Sequence, residues 1–381
     1  MRGYLFISNG AKPGMTIEKE TYVDVSSFSR TAIEAACELG FRIYQGANVN
    51  EPKLLKCRQF DITYYNQNIF RSILGLRDIY IAYRNLKSFL KEHSDIEIIH
   101  CNTPIGGLIG RLVGHRLKKK VIYTAHGFHF YKGAPLKNWL LFYPVEKFLA
   151  KWTDILITIN QEDYKVSRNL NKKNMRTYLV PGVGVDIHRF QNIRTGNRDI
   201  REQLGLSNSD ILLVAVGRLD KNKNISNCIK ALSITDNNIY LLLCGEGEEY
   251  IQLQQLASDL NISQKIFFLG NRSDIPDILS ACDIFVLMSY REGLSRSIME
   301  AMSVGLPCIV SDIRGNQDLI DINGGIRVNP HDYLELKDAF ETLSSNRELR
   351  LNMGNYNKEK VRKYSIEASR QSFLEIFKKE L

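Results

Sequence analysis

Ile211-Leu212-Leu213-Val214-Ala215-Val216 runs directly into Gly217-Arg218-Leu219-Asp220-Lys221-Asn222-Lys223-Asn224. Six apolar residues without alternation match one strand buried on both faces, and the glycine with its polar, basic sequel ends it. The pattern recurs at Ile239–Cys244, Ile266–Leu269, Ile284–Met288 and Cys308–Ser311, with helix-length segments between the runs. Strands alternating with helices predict a parallel sheet built by βαβ crossovers and covered on both faces. The first half has the same rhythm at Tyr4–Ser8, Arg42–Gly46, Ile96–Cys101, Val121–Thr124 and Ile155–Ile159. A chain of 381 residues has the length for two such α/β domains, each doubly wound.

Turn formers cluster in Pro181-Gly182-Val183-Gly184-Val185-Asp186, and apolar periodicity stops across the polar Gln191–Asp199, so the join is expected there. Without a low-complexity linker, the domains are expected to face each other across a cleft. Open α/β sheets bind ligands beyond the carboxyl ends of their strands, which puts the chemistry in that cleft.

Forty-four per cent hydrophobic and 10% aromatic residues with nine prolines exclude a disordered, collagen-like or mucin-like chain. The net charge of +9 is unevenly held: residues 1–190 carry 28 Lys and Arg against 16 Asp and Glu, a balance of +12, and the remainder carries −3. An anionic partner would therefore meet the first half. The cysteines (Cys37, Cys57, Cys101, Cys228, Cys244, Cys282, Cys308) form no C-x-x-C pair and sit mostly in apolar runs, as buried thiols of a reducing compartment do. The chain enters a strand at Tyr4 without a signal-type leader, and no apolar stretch reaches the about 18 residues a spanning helix needs. A cytoplasmic protein is expected, able to lie against the inner face of the plasma membrane.

The most specific segment is Arg291-Glu292-Gly293-Leu294-Ser295-Arg296-Ser297-Ile298-Met299-Glu300-Ala301-Met302. It follows a strand, so Glu292-Gly293-Leu294 would form a loop at the strand's carboxyl end and Ser295 would cap a helix carrying Glu300. Two carboxylates then reach one pocket, where they accept paired hydrogen bonds from neighbouring hydroxyls. The plain alternative is an acidic helix start answering the macrodipole. Arg218 and Lys223, in the loop opened by Gly217, can neutralise a diphosphate as a fork and a point charge, and no D-x-D triplet accompanies them. The plain reading there is a solvated basic loop. Gly245-Glu246-Gly247 and Gly270-Asn271-Arg272 end the next two strands, as ligand-approaching turns or as ordinary ones.

In the first half, Thr124-Ala125-His126-Gly127-Phe128-His129-Phe130 follows a strand, and His126 can donate to an anionic or hydroxyl oxygen. Pro135–Trp152 mixes aromatic and aliphatic bulk with lysines: Lys137, Trp139, Phe142 and Lys147 suit a helix lying on anionic lipid. A helix that simply covers the sheet is the competing reading.

At Arg218, Lys223, Glu292 and Glu300 the pattern resembles the retaining glycosyltransferases of family 4, whose E-x7-E signature fits Glu292 to Glu300. The resemblance covers nearly the whole chain. His126-Gly127-Phe128-His129 and Arg291–Met302 look like the bacterial branch that makes capsular polysaccharide, exopolysaccharide or lipid-linked oligosaccharide. It implies a GT-B fold, with residues 1–190 on the acceptor side, 191–364 binding the nucleotide-sugar, and 365–381 as a helix returning to the first domain. It also implies a hexosyl or N-acetylhexosaminyl transfer from a UDP-sugar, with no metal or other cofactor, to a lipid-linked saccharide or growing polysaccharide.

Carried over residue by residue, Arg218 and Lys223 would hold the diphosphate and Glu300 the ribose diol. Glu292, with the amides of Gly293, Leu294 and Ser295, would hold the transferred sugar, and His126 a donor hydroxyl or phosphate. Gly217, Gly245, Glu246, Asn271 and Arg272 would complete the donor site, with Gly10 and His129 on the acceptor side. Two departures are visible: Ser295 stands where that branch often has proline, and Asn9-Gly10-Ala11-Lys12-Pro13-Gly14 is not the usual paired-glycine loop. A front-face reaction, with the acceptor hydroxyl protonating the departing phosphate, is expected over a covalent glycosyl-enzyme.

The nearest rival enzyme is a nucleotide-sugar epimerase of the same architecture. A basic lipid- or nucleic-acid-binding protein would use the charge of the first half but leaves Glu292 and Glu300 unexplained, and no nucleic-acid partner is expected. A dehydrogenase would need a G-x-G-x-x-G after Tyr4–Ser8, which is not there.

Overall fold

The structure, a computed structural model, describes residues 1–8, 15–70, 75–170, 175–192, 197–235 and 238–381. Tertiary contacts divide it into unit 1, Met1–Val183 with Glu367–Leu381, and unit 2, Gly184–Ile366.

Unit 1 contains β1 (Gly3–Ile7), β2 (Thr21–Val23), β3 (Arg42–Ala47), β4 (Leu55–Cys57), β5 (Ile62–Asn66), β6 (Ile96–Cys101), β7 (Lys120–Ala125), β8 (Ile155–Thr158) and β9 (Arg176–Leu179). Among the described residues, seven of these form a parallel sheet in the order β5-β3-β1-β6-β7-β8-β9, while β2 pairs with β4. Its helices are α1 (Ser27–Glu38), α2 (Leu76–Glu92), α3 (Pro104–Arg116), α4 (Leu136–Leu149) and α5 (Gln161–Ser167). Leu5 and Ile7 meet α2 and α3 on one face through Leu86, Ile109 and Val113.

Unit 2 contains β10 (Ile211–Val216), β11 (Ile239–Cys244), β12 (Ile266–Gly270), β13 (Ile284–Leu287), β14 (Cys308–Ser311) and β15 (Gly325–Val328), parallel in the order β12-β11-β10-β13-β14-β15. The helices are α6 (Ile187–Gln191), α7 (Asn197–Gln203), α8 (Ile225–Ser233), α9 (Tyr250–Asp259), α10 (Ile275–Ala281), α11 (Arg296–Val304), α12 (Asn316–Leu319), α13 (Tyr333–Ser345) and α14 (Arg347–Lys360). Leu213 and Ala215 of β10 enter a core with α8 and α13, and Leu212 and Val214 enter the opposite core with α10 and α11. Burial on both faces is why these strands read as continuous apolar runs.

The ten expected strands are present. Those that sequence patterning missed include β5, β9 and β15, which lie at sheet edges, where one side of the ladder is solvated and the apolar run is broken. The division between units falls inside the Pro181–Asp186 turn. There Val185 N–H donates to Tyr364 O (2.9 Å) and Ile366 N–H to Val185 O (3.1 Å). Gly184 has φ +76, and a Cβ on it would lie 2.6 Å from Ile366 Cα, so only glycine allows this pairing.

The last helix, α15 (Ile366–Glu380), packs against the second face of the unit 1 sheet. Phe377 lies 5.7 Å from the ring of Tyr4 and 6.3 Å from that of His100. Glu380 closes the helix by accepting from Arg176 and the Tyr178 hydroxyl, and Lys120 donates to its carbonyl.

His100 is buried beneath this helix, with Nε2 2.7 Å from Thr124 Oγ1 and Nδ1 bonded to the Tyr4 hydroxyl. Burial, with a smaller contribution from His126, pushes its pKa from 6.5 down to about 3. The unfolded chain therefore takes up a proton below pH 6.5 that the folded chain refuses until about 3, and stability drains as pH falls through that window. His100→Asn should flatten this acid limb in urea titrations run at a series of pH values, while lowering stability at neutral pH by about 1–3 kcal/mol through its unpaired neighbours. An unchanged acid limb would show that other groups govern it.

Candidate functional site

Strand order in unit 2 reverses between β10 and β13, so the chain leaves these two strands toward opposite faces of the sheet, to α8 on one and α11 on the other. Lys223, from the β10 loop, donates to Glu292 Oε1 of the β13 loop at 2.7 Å, and the two side chains are 19% and 14% exposed. Backbone and amide contacts fix the loops to each other: Tyr290 N–H donates to Asn222 O (2.8 Å) and Asn222 Nδ2 to Arg291 O (3.1 Å). Asn224 holds the left-handed turn that starts α8, with φ 53. Its amide donates to Pro330 O (2.8 Å) and its Oδ1 accepts from the Tyr290 hydroxyl (3.0 Å). Sequence reading passed over Asn224, although an asparagine just before a helix is a signal for such a turn.

The turns after β10, β11 and β12 stack edge to edge. Gly217 N–H donates to Cys244 O (2.9 Å), Gly245 N–H to Gly270 O (2.8 Å) and Leu219 N–H to Glu246 O (3.0 Å). Gly245 has φ +142, and a Cβ there would sit 1.9 Å from Gly217 O, so the close approach requires glycine. The stacking brings Gly217, Arg218, Gly245, Glu246, Asn271 and Arg272 around one pocket of about 640 Å³. Arg218 is 67% exposed and pairs with Glu248 (2.8 Å), while Arg272 forks onto Asp274 through Nε (2.8 Å) and Nη2 (2.5 Å).

Ser295 caps α11, its hydroxyl accepting from Ile298 N–H at 3.4 Å, so the serine at this position does the work of terminating the loop. Glu300 stands one turn into the helix, with Oε1 accepting from Arg296 Nε at 3.0 Å. Burial raises its pKa above the ordinary carboxyl value, against the opposing pull of Arg296 and Arg189. Behind the loop, Arg314 Nε donates to Glu292 O (3.3 Å), and Gly315, with φ +80, comes so close that a Cβ would lie 2.3 Å from Gly293 O. Arg314 and Gly315 were not anticipated: one reaches a loop carbonyl through its guanidinium, the other makes room by lacking a Cβ, and no residue pattern marks either.

In unit 1 the strand order reverses between β1 and β6, and a pocket of about 610 Å³ opens there. His126 and His129 both line it, with Asn102, Phe28, Phe142 and Glu146. His126 lies edge-on to Phe28, ring centroids 5.1 Å apart, and burial lowers its pKa to about 4, so the imidazole is neutral at physiological pH. His129 packs on Phe142 at 4.7 Å. Beneath the pocket, Arg111 is buried over the Tyr123 ring (4.1 Å) and pairs with Glu146 through bonds of 2.7 and 3.2 Å. Gly10 lies outside the described residues.

The helix assigned to a lipid surface has its faces arranged differently from the expectation. Trp139 and Phe142 of α4 turn inward against the core, and Trp139 donates its indole N–H to Tyr131 O at 3.2 Å. The outward residues are Leu136, Leu140, Leu141, Val145 and Phe148, between the exposed Lys137, Lys147 and Lys151. Among the described residues no helix is long and apolar enough to cross a membrane.

Residues 196–360 match the family described as glycosyl transferases group 1, and residues 50–189 match glycosyltransferase family 4. EpsD of Bacillus subtilis (strain 168), which carries the name of a glycosyltransferase, is 36% identical over 304 residues, 78% of this chain and 80% of that protein. The UDP-Gal:alpha-D-GlcNAc-diphosphoundecaprenol alpha-1,3-galactosyltransferase of Escherichia coli is 32% identical over 305 residues, 72% and 78% of the two chains. The fold is also that of Alr3699/HepE of Anabaena, solved in complex with UDP, with a TM-score of 0.78 at 18% identity over 99% of this chain and 100% of that one. Both halves of the chain are matched, and two relatives exceed 30% identity across most of their length, so the protein belongs to the group 1, family 4 glycosyltransferases and has their GT-B fold.

Proposed function

We propose that the protein moves a hexosyl or N-acetylhexosaminyl group from a UDP-sugar to a hydroxyl of a lipid-linked saccharide or growing polysaccharide, with retention of configuration and without a metal ion. The observation that carries this reading is the meeting of Gly217-Arg218, Gly245-Glu246 and Asn271-Arg272 around one pocket, in the unit that also holds the Lys223–Glu292 pair. Arg218 and Lys223 take the diphosphate, whose departure develops charge that fixed cations stabilise. Glu300 takes the ribose diol, since a carboxylate with one oxygen on Arg296 retains acceptor capacity. Glu292, with the backbone of Gly293, Leu294 and Ser295, takes the transferred sugar. As the bond from sugar to phosphate breaks, the acceptor oxygen bonds to the same face of the sugar and its proton passes to the leaving phosphate. The UDP of the Anabaena structure and the acceptor and α linkage named for the Escherichia coli relative support this choice of donor, acceptor and stereochemistry.

The same reading puts the outer face of α4 on anionic lipid. Leu136, Leu140, Leu141, Val145 and Phe148 would enter the interface while Lys137, Lys147 and Lys151 meet headgroups. Each lysine near such a surface contributes about 1 kcal/mol, which gives reversible, salt-sensitive attachment at the cytoplasmic leaflet.

Because the cations are part of the chain, turnover in EDTA should stay within about twofold of that without chelator; loss restored by magnesium or manganese would overturn the metal-free step. Glu300→Ala should weaken UDP by about 10- to 100-fold in calorimetry, the loss of a charge-assisted hydrogen bond. Glu292→Gln should leave UDP affinity within about threefold while cutting kcat by about 100-fold, and equal effects of the two changes on UDP would contradict the assignment. Finally, Leu140→Glu with Leu141→Glu should abolish low-salt co-sedimentation with anionic vesicles without changing stability, whereas Trp139→Ala should lower stability and leave sedimentation intact. Vesicle binding indifferent to the two glutamates would remove the lipid face.

A further inference from the structure

The turn after β14 supports the loop after β13 at three successive points. Ser311 Oγ donates to Ser289 O (2.6 Å) where the loop begins, and Arg314 Nε donates to Glu292 O (3.3 Å) in its middle. Gly315 then comes against the next carbonyl, where a Cβ would lie 2.3 Å from Gly293 O. Asn316 ties the turn to its own strand, its amide donating to Ser311 O and Ser311 Oγ at 3.1 Å each. Ser311, Arg314 and Asn316 are all buried, so the turn is packed in place and does not follow the loop.

Two consecutive carbonyls, those of Glu292 and Gly293, therefore face this turn. A trans peptide holds its C=O and the following N–H antiparallel in one plane, so the N–H groups of Gly293 and Leu294 point the opposite way. Sheet order fixes what lies there. Strand β13 stands between β14 and β10, so the side away from the β14 turn is the side of the β10 loop. That loop brings Lys223 to Glu292 and Asn222 to the backbone of Tyr290 and Arg291. Successive amides on one side of a turn form a concavity suited to an electron-rich oxygen.

We propose that Arg314 is a positioning residue of the transfer site: by holding the Glu292 carbonyl it turns the Gly293 and Leu294 amides toward the donor. That those amides meet a donor rests on the transferase reading; their orientation rests on contacts within unit 2 alone. The guanidinium stands behind the loop and acts through the peptide it holds.

The test compares Arg314→Met with Arg314→Gln in the full chain. Gln places Nε2 as many bonds from the backbone as the arginine Nε and keeps the donor, whereas Met fills the same length without one. In NMR spectra of chain isotope-labelled at its glycines, the Gly293 amide signal is identified by its loss in Gly293→Ala. Arg314→Met should move that signal in the free protein, and Arg314→Gln should leave it near its parent position. In calorimetry with UDP, UDP-glucose, UDP-galactose and UDP-N-acetylglucosamine, Arg314→Met should weaken the best-bound UDP-sugar by about tenfold and UDP by less than about threefold. Arg314→Gln should return the UDP-sugar to within about threefold of the parent. A general loosening of unit 2 would instead weaken UDP and the UDP-sugar alike. The proposal is overturned by that result, by a Gly293 signal indifferent to Arg314→Met, by Arg314→Gln behaving as Arg314→Met, or by both variants losing the folded spectrum. A parent chain that binds none of the UDP-sugars would sink the transferase reading, while a Gly293 signal moved by Met and kept by Gln would still show the hold of Arg314 on the loop.

Discussion

Lys223 and Glu292 meet across the reversal of strand order in unit 2, and this ion pair joins the two loops that carry them. Removing one partner of a largely buried pair leaves the other desolvated and uncompensated, so neither residue is free to vary alone. The pair also keeps a long, flexible lysine in one place before any ligand arrives. Its surroundings are tied by hydrogen bonds to loop carbonyls from the Tyr290 N–H, the Asn222 side-chain amide and the Arg314 guanidinium, which hold the loops that present the carboxylate and the ammonium. In the proposed reading the ammonium and the carboxylate would address different parts of one donor from a single contact.

The arginines of the turns after β10 and β12 are held on different terms. Arg218, its partner Glu248 and Arg272 are exposed, and Asp274, the partner of Arg272, is half-buried. Exposed ion pairs are worth a fraction of a kcal/mol to about 1 kcal/mol, so an incoming phosphate displaces them at little cost. The buried cation of unit 1, Arg111, is the reverse case: bonded twice to Glu146, to Gly107 O at 2.9 Å and stacked over Tyr123, it is structural and unavailable. Exposure, more than charge, separates the cations that can meet a ligand from those that hold the fold.

This explains which features could be read from the sequence. Central strands such as β10 are buried on both faces and print an unbroken apolar run; the edge strand β9, Arg176–Leu179, does not, and was missed. Strand-end glycines announced the turns at Gly217 and Gly245 because close backbone approach leaves no room for a Cβ. Arg314 and Gly315 stayed invisible, since one acts through a guanidinium on a loop carbonyl and the other through the lack of a Cβ, and neither contact is marked by a residue pattern; Asn224 carried a turn signal that was passed over. The Lys223–Glu292 contact joins residues 69 apart and follows only from strand order, which residue types do not reveal.

The error in α4 has a physical origin of its own. Its inner face needs Trp139, Phe142 and Leu149 to fill the unit 1 core, and its outer face is also apolar, with Leu136, Leu140, Leu141, Val145 and Phe148. A helix apolar on both sides has no polar stripe from which to fix its rotation, and the large aromatics, being the conspicuous residues, were assigned outward. An ordinary surface helix would gain nothing from five exposed apolar side chains, so the outer face is the part that its own packing leaves unexplained. The inner face, meanwhile, delivers Phe142 and Glu146 to the pocket of His126 and Asn102. One helix therefore presents an apolar outer face and, on its other side, part of the wall of the unit 1 pocket.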